Sequence, residues 1–359
     1  MIYHLCLWLT EEVSFFNVFK YLTFRSILAA FCALVIWLVI GRRFITLVRD
    51  FQIRQYIRTE GPASHQEKSG TPTMGGILII LAALFSTLMW VDLSEPSIWL
   101  TLFCGLSLGT LGFQDDYLKI RRRHNQGLTA RQKLLAQFVI GLLTGTFLYV
   151  SRDFDTVLYM PVLKGLNLDL GLFYIPFAAL VICGASNAVN LTDGLDGLAA
   201  GPVIIATLTY IVFVYCAGHS RFANYLQISY VPGAGEVTVL LAAVAGSVLG
   251  FLWHNTYPAE IFMGDVGSLS LGGFLGIAAL IAKQELILIV VGGLFVLEAM
   301  SVIIQVGYFR LTGGRRVFRM APLHHHFELK GWAEPKIIVR FWIIAIILAM
   351  IGLSTLKVR

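Results

Sequence analysis

The stretch Leu286 to Phe309, LILIVVGGLFVLEAMSVIIQVGYF, runs for 24 residues with a single charged side chain, Glu298. A helix needs about 20 mostly apolar residues to cross the hydrocarbon of a bilayer, so this segment reads as a membrane span. Nine other runs read the same way: Ile27 to Ile40 with its flanks, Gly75 to Trp90, Ile98 to Phe113, Leu134 to Val150, Leu172 to Val189, Ala199 to Ala217, Val237 to Trp253, Leu269 to Ala282 and Ile337 to Leu356. Several fall short of a full span and borrow flanking Gly, Ser or Thr. Composition agrees, because 57% of the 359 residues are hydrophobic and only 13% are charged, about half the charged share of a soluble domain. The expected fold is an all-α polytopic membrane protein with about ten transmembrane helices. No repeat, low-complexity tract or appended soluble segment interrupts it, so residues 1–359 read as one domain.

Orientation follows from Lys and Arg in the short loops. Three loops are strongly basic. The first carries Arg42, Arg43, Arg49, Arg54, Arg58 and Lys68; the second Lys119, Arg121, Arg122, Arg123, Arg131 and Lys133; the third Arg310, Arg315, Arg316, Arg319, Lys330 and Lys336. They follow the first, third and ninth runs, so one topology puts all three in the cytoplasm. The loops holding Asp92 and Glu95, and Asp153, Asp155 and Asp169 against Arg152 and Lys164, then face outward. Both termini are expected in the periplasm, and the loops around Asp193 and Asp265 fall inside by parity. Met1 to Lys20 lacks a basic n-region and a small-residue cleavage site, and reads as an interfacial segment.

The net charge of +6 does not imply nucleic acid, because the basic residues are juxtamembrane and suit anionic headgroups and phosphate substrates. Cys6, Cys32, Cys104, Cys183 and Cys216 show no C-x-x-C spacing. Four of them sit in apolar runs, where a thiol is a small hydrophobe.

An ionisable residue at a membrane-helix end is costly and points to function. Four clusters qualify. In Gln114-Asp115-Asp116-Tyr117 adjacent carboxylates lie about 100° apart on a helix, which predicts different partners for the two. An ordinary ion-paired helix end with Lys119, Arg121 or Arg122 is an equal reading. In Asn187-Ala-Val-Asn190-Leu-Thr-Asp193-Gly-Leu-Asp196-Gly, Asn190, Asp193 and Asp196 are three apart and share a face if helical. Gly194 and Gly197 admit a substrate close to the backbone, and the competing reading is a polar turn.

The third cluster runs from Asn255 to Ser268 and includes Phe262 and Gly264-Asp265. A carboxylate beside a helix N-terminus suits a metal ion bound to phosphate, or else caps that helix. The fourth is Met320-Ala-Pro-Leu-His324-His325-His326-Phe-Glu328. Three consecutive histidines do not readily ligate one zinc ion, and phosphate contact or proton transfer suits them better. Glu298 and Gln305, seven apart, share a helix face, and interhelical hydrogen bonding accounts for Glu298. Lys68-Ser-Gly-Thr71-Pro-Thr73-Met-Gly75-Gly76 mixes a cation, hydroxyls and glycines without matching a P-loop. All four clusters fall on one side of the membrane, and carboxylates, amides, histidines and cations together describe a site for Mg²⁺ and phosphate.

GTPTMGG at 70–76, FQDDYLK at 113–119, NAVNLTDGLDGLA at 187–199, FLWHNTYPAEIFMGDVGS at 251–268 and RMAPLHHHFELKGW at 319–332 together resemble the phospho-N-acetylmuramoyl-pentapeptide transferases. These belong to the polyprenyl-phosphate N-acetylhexosamine-1-phosphate transferase superfamily, and the triple-His stretch resembles the muramoyl-pentapeptide branch more than its N-acetylglucosamine relatives. The resemblance implies transfer of phospho-MurNAc-pentapeptide from UDP-MurNAc-pentapeptide to undecaprenyl phosphate, with Mg²⁺ as cofactor, giving lipid I and UMP at the bacterial inner membrane. It implies Asp115, Asp116 and Asp265 as the catalytic acids, with Asp265 the metal ligand. Substrate contacts are implied for Lys68, Thr73, Lys119, Lys133, Asn190, Asp193, Gly194, Leu195, Asp196, Asn255, Phe262, Gln305, His324, His325 and His326. The implied partners are the two substrates and membrane lipids, with a homodimer compatible and no nucleic acid.

Two mechanisms fit those residues: direct attack by the lipid phosphate, which is favoured, and a two-step route through an acyl-phosphate. The rival from another class is a secondary transporter with Asp193, Asp265 and Glu298 as coupling groups. Transporters hold such groups near the midplane, whereas these sit at span ends. A nearer rival is a transferase acting on UDP-N-acetylglucosamine.

Overall fold

The computed structural model describes residues 1–51, 70–122, 127–151, 154–161 and 167–357. Lys68 lies outside the described residues, as do Arg54, Arg58, Arg123, Arg152, Asp153 and Lys164 of the loop assignments. The chain starts with a short helix, α1 (Ile2–Leu9), and a 3-10 turn over Ser14–Lys20. Then come α2 (Leu22–Asp50), α3 (Gly76–Trp90), α4 (Pro96–Arg122) and α5 (Ala130–Val150). A hairpin pairs β1 (Val157–Tyr159) antiparallel with β2 (Asn167–Asp169), followed by α6 (Tyr174–Thr192), α7 (Ala200–Ala217) and α8 (Ser220–Leu226). The remainder is α9 (Ala234–Asn255), α10 (Gly264–Ile281), α11 (Ile287–Val291), α12 (Gly293–Leu311), α13 (Leu323–Glu328) and α14 (Glu334–Ser354).

Among the described residues nine helices are long and apolar enough to cross a membrane. The tenth expected run is α3, at 15 residues about 22 Å long and so shorter than the hydrocarbon is thick. The all-α expectation holds, with the three-residue strands of the hairpin as the departure. One boundary is corrected: the run Leu286 to Phe309 is not continuous but breaks between α11 and α12 at Gly292. Gly292 and Gly293 are adjacent, and glycine is the poorest helix former after proline. A Cβ on Gly292 would also lie 2.8 Å from the carbonyl oxygen of Leu288.

Helices α9 and α10 are the most enclosed spans, while α2, α5, α12 and α14 present much of their surface outward. Lipid gives helices no hydrophobic reason to associate, so close backbone approach and interhelical hydrogen bonds must hold them. Helix α10 is built for both. At Gly272 a side chain would run into the backbone of Ala185 and Ser186 in α6. Ser270 Oγ donates to Gly105 O of α4 at 2.8 Å, and Ser186 Oγ donates to Leu269 O at 3.1 Å.

Two ends of the bundle are chemically distinct. At one, Arg25 at the start of α2 grips Glu236 of α9 at 2.6 and 2.7 Å and donates to Trp90 O at the end of α3. The chain's amino group donates to Leu88 O, and Lys357 Nζ to Tyr225 O, so both termini lie at this end. The four polar clusters gather at the other.

Candidate active site

The last turns of α4 and the first turns of α5 and α10 meet around one ammonium group. Lys119 Nζ lies 2.6 Å from Asp115 Oδ2, 3.2 Å from Asp116 Oδ1 and 2.9 Å from Asp265 Oδ2. Lys133 Nζ adds a second cation, 2.7 Å from Asp265 Oδ2 and 3.9 Å from Asp115 Oδ2. One oxygen from each of the three carboxylates lies within 4.8 Å of the others. Lys133 is held there by a local signal: Thr129 and Gln132 form a reciprocal capping box that starts α5 in register.

The expectation that Asp115 and Asp116 serve different partners is half corrected. Asp115 Oδ1 accepts from Leu128 N at 2.7 Å and Asp116 Oδ2 from Val266 N at 3.2 Å, so one oxygen of each does diverge. The other two converge, because Lys119 is four residues from one and three from the other, both spacings that meet on a helix.

The capping role open to Asp265 is not taken up. No side chain of the α10 chain segment caps that helix, whose cap position is Met263. Asp116 reaches across from α4 to take the Val266 N–H, so a carboxylate does sit at the helix's positive end. Asp265 is left to face the two lysines and Asn190, whose Nδ2 donates to Asp265 Oδ1 and to Ser268 Oγ, each at 2.8 Å. Gly264 between these acids has φ +75°, and a Cβ there would lie 2.6 Å from Asp116 Oδ2 and 3.2 Å from Thr73 Oγ1. Buried Thr73 thereby joins the cluster.

The second cluster is not one helix face. Helix α6 stops at Thr192, so Asn190 is helical while Asp193 and Asp196 lie in the turns that follow. Gly197, at φ +77°, is a conformation the helix cannot contain. Asp193 is half-buried, and desolvation together with the charges of Asp265, Asp116 and Asp196 pushes its carboxyl up to about 7. Asp196 accepts from Ala259 N at 3.0 Å, and its own N–H donates to Glu334 Oε1 at 3.0 Å. Asn255 takes Gly197 N on Oδ1 and gives Nδ2 to Ile261 O, stitching this loop to the third cluster. Leu195 packs its side chain among Leu198, Leu294, Ile337 and Phe341, which leaves its backbone as the part that could meet a ligand.

Residues 72–76 lie along 262–263: Phe262 N donates to Pro72 O, Gly75 N to Phe262 O and Gly76 N to Met263 O, at 2.8 to 2.9 Å. The half-buried Phe262 is thus fixed through its backbone. The three histidines each face a separate group. His324 Nδ1 lies 3.3 Å from Glu298 Oε2, His325 Nδ1 pairs with Glu328 Oε2 at 2.7 Å, and His326 Nδ1 accepts from Arg319 N at 3.1 Å. Burial, then the charges of Lys330 and Arg319, lowers the His326 pKa. Gln305 accepts from Val317 N and Phe318 N and donates to Phe318 O, folding residues 312–322 back over α12.

Asp115, Asp116, Asp265, Lys119, Lys133 and Asn190 therefore form one hydrogen-bonded cluster, and His324 joins the Asp193 loop through contact with Gly194. Gln305, His325 and His326 are engaged with their own loop. Sequence reasoning missed Ser268 and Glu334 as partners. For Glu334 a signal existed: an acid followed by Pro335 marks a helix start.

The glycosyl transferase family 4 model matches residues 98–283, and signature 1 of phospho-N-acetylmuramoyl-pentapeptide-transferase matches residues 68–80. Proteins named phospho-N-acetylmuramoyl-pentapeptide-transferase match over the whole of both chains, at 57% identity in Desulfosudis oleivorans and 56% in Citrifermentans bemidjiense and Desulforapulum autotrophicum. With full-length identity at that level and the acid cluster assembled at one end of a helical membrane bundle, the chain belongs to the phospho-N-acetylmuramoyl-pentapeptide-transferase family.

Proposed function

We propose that the chain, acting as a single domain, transfers phospho-MurNAc-pentapeptide from UDP-MurNAc-pentapeptide to undecaprenyl phosphate, forming lipid I and UMP for peptidoglycan synthesis. The observation that carries this reading is the convergence of Asp115, Asp116 and Asp265 on Lys119 and Lys133 at the end of an apolar bundle. That is where a soluble nucleotide can meet a phosphate anchored in lipid. Arg42, Arg43 and Arg49 at the end of α2, with Arg310 in the last turn of α12 and Arg315, Arg316 and Arg319 after it, lie toward the same end in sequence, which supports a cytoplasmic site in the inner membrane.

The acid cluster fits Mg²⁺, which prefers hard oxygen donors and takes one or two carboxylates alongside phosphate oxygens. The Lys119 ammonium, within 3.2 Å of all three acids, marks their centre as a place for positive charge. Asp265 would hold the ion, with Asp115 and Asp116 at its rim, and the ion would neutralise phosphate charge.

An oxygen of the lipid phosphate forms a bond to the sugar-bearing phosphorus, the bond from that phosphorus to the bridging oxygen breaks, and UMP leaves with the electron pair. One phosphoanhydride replaces another, so positioning and charge neutralisation are the main requirements. The lipid phosphate, with a second pKa of about 6, is already largely dianionic at neutral pH. Asp116 or Asp115 then needs only to orient it. Lys119 and Lys133 offset the charge of the phosphates. Lys68, Thr73, Asn190, the 193–196 loop, Asn255, Phe262, Gln305 and the three histidines contact the nucleotide substrate.

UMP release should be measured with UDP-MurNAc-pentapeptide and with UDP-N-acetylglucosamine, each with undecaprenyl phosphate, with and without Mg²⁺. Release confined to the muramoyl substrate and dependent on Mg²⁺ is expected, and no release with either would overturn the enzyme reading. A stoichiometric burst of UMP without lipid acceptor, with label retained on the enzyme, would replace direct attack by the two-step route.

A further inference from the structure

Helix α12 buries one acid, Glu298, with no exposed surface, and α13 buries one imidazole, His324, at 1% exposure. Glu298 Oε1 accepts from the backbone N–H of His324 at 3.2 Å. Its other oxygen, Oε2, lies 3.3 Å from His324 Nδ1. Among the described residues neither of these two atoms, nor His324 Nε2, has a hydrogen-bond partner. A carboxylate can only accept, so although the two atoms are not aligned as a hydrogen bond, the tautomer with its proton on Nδ1 is the one that places a positive rather than a lone-pair edge 3.3 Å from Oε2. The ring's far nitrogen faces Gly194, where a Cβ would collide with it, and Gly194 follows Asp193 directly.

We infer that Glu298 is a positioning residue that holds His324 in the Nδ1–H tautomer, keeping Nε2 as a bare acceptor against the loop that carries Asp193 and Asp196. The inference rests on the proposed reading of that loop as part of the nucleotide-substrate site. A buried acid oriented on one ring nitrogen fixes both the ring's rotation and the character of the other nitrogen. Interhelical hydrogen bonding, the plain account of Glu298, ties α12 to α13 but assigns no polarity to Nε2. Here the polarity is the point. Nε2 can receive a donor from a substrate group or from the loop, and Gly194 is the residue that lets it approach.

Glu298→Gln separates the two accounts. A glutamine keeps the shape and can keep accepting from His324 N through Oε1, but its NH₂ group then faces Nδ1 and can only donate. The tautomer must invert, making Nε2 a donor. Imidazole ¹⁵N chemical shifts of the full chain in lipid nanodiscs, with His324 assigned by the signals lost in His324→Asn, should show Nδ1 protonated and Nε2 bare. In Glu298→Gln they should exchange, and KM for UDP-MurNAc-pentapeptide should rise about tenfold with kcat falling less, as for loss of an orienting partner. Should that variant fail to fold, Glu298→Asp is read instead: it retains the acceptor, so the wild-type tautomer must persist. A wild-type ring protonated on Nε2 and bare on Nδ1, or a Gln variant with unchanged tautomer and unchanged KM, would overturn the inference. Absence of wild-type turnover would instead overturn the transferase reading, and the ¹⁵N arm would still decide the tautomer.

Discussion

The side-chain amide of Asn190, in the last turn of α6, donates to Asp265 Oδ1 across 2.8 Å and to Ser268 Oγ across the same distance. Asp265 Oδ2 meanwhile faces Lys119 and Lys133. One oxygen is therefore oriented by a neutral donor and the other is paired with cations. Asn190→Ala removes the orienting group and leaves the charges, so Mg²⁺-dependent UMP release should fall about 10- to 100-fold, the usual cost of an outer partner to a ligand. Asp265→Asn should abolish it while the protein remains folded in detergent. Wild-type turnover in Asp265→Asn would show that Asp265 is not the group the reaction depends on, and in Asn190→Ala that its orientation by Asn190 is not needed.

Lys119 gives a second expectation. Its ammonium sits between three carboxylates whose oxygens crowd within 4.8 Å, and Lys119→Met would leave Lys133, 2.7 Å from Asp265 and 3.9 Å from Asp115, to relieve only part of that repulsion. The thermal midpoint in EDTA should drop, and saturating Mg²⁺ should raise it further than it raises the wild type, since a ligand that binds only the folded state stabilises by mass action. A chain this long moves about 2 °C per kcal/mol. Equal Mg²⁺ shifts in the two proteins would show that the ammonium and the ion do not answer the same need.

What could be read from the sequence follows from where the physics is local. A bilayer imposes its thickness on every crossing segment, so the runs from Ile27 to Leu356 were visible as apolar lengths, and the charged ends of α4 and α10 stood out against them. The break at Gly292 was not visible, because two glycines in an apolar run also occur in unbroken membrane helices. Asp265 could be read as the cap of α10, and the carboxylate that does sit at that helix's end is Asp116, 150 residues away from Val266. The Glu298–His324 contact looked like generic interhelical bonding because its partner lies on another helix.

Asp193 should make stability depend on pH. Its carboxyl is pushed from 3.8 up to about 7 in the folded protein, so between those values the folded state binds more protons than the unfolded chain. Stability therefore falls as pH rises through this window, and is fully favoured by this group only below it. In EDTA, wild-type thermal stability should decline from about pH 4 to pH 7 more steeply than that of Asp193→Asn. Parallel profiles would mean that Asp193 titrates as an ordinary surface acid.

At the opposite end of the bundle, Lys283 is buried at 1% exposure between α10 and α11. Its Nζ donates to Asp155 O at 3.1 Å, lies 3.4 Å from Glu285 Oε1, and sits 4.4 Å from the Tyr174 ring centre and 4.7 Å from that of Phe154. Tyr174 O–H donates to Glu285 Oε1 at 2.6 Å. Burial raises the Glu285 pKa, opposed by Lys283 and Tyr174. Lys283→Met leaves that acid without its cation, and breaking a buried pair on one side costs about 3–5 kcal/mol. Replacing both partners, Lys283→Met with Glu285→Gln, should recover most of the loss, because the uncompensated charge and not the missing contact is the penalty. Thermal unfolding in detergent reads both variants, and UMP release below the transition should stay near wild type in each, since neither residue touches the acid cluster. A double variant no more stable than Lys283→Met would mean that Lys283 contributes by packing against Phe154 and Tyr174 and not by compensating Glu285.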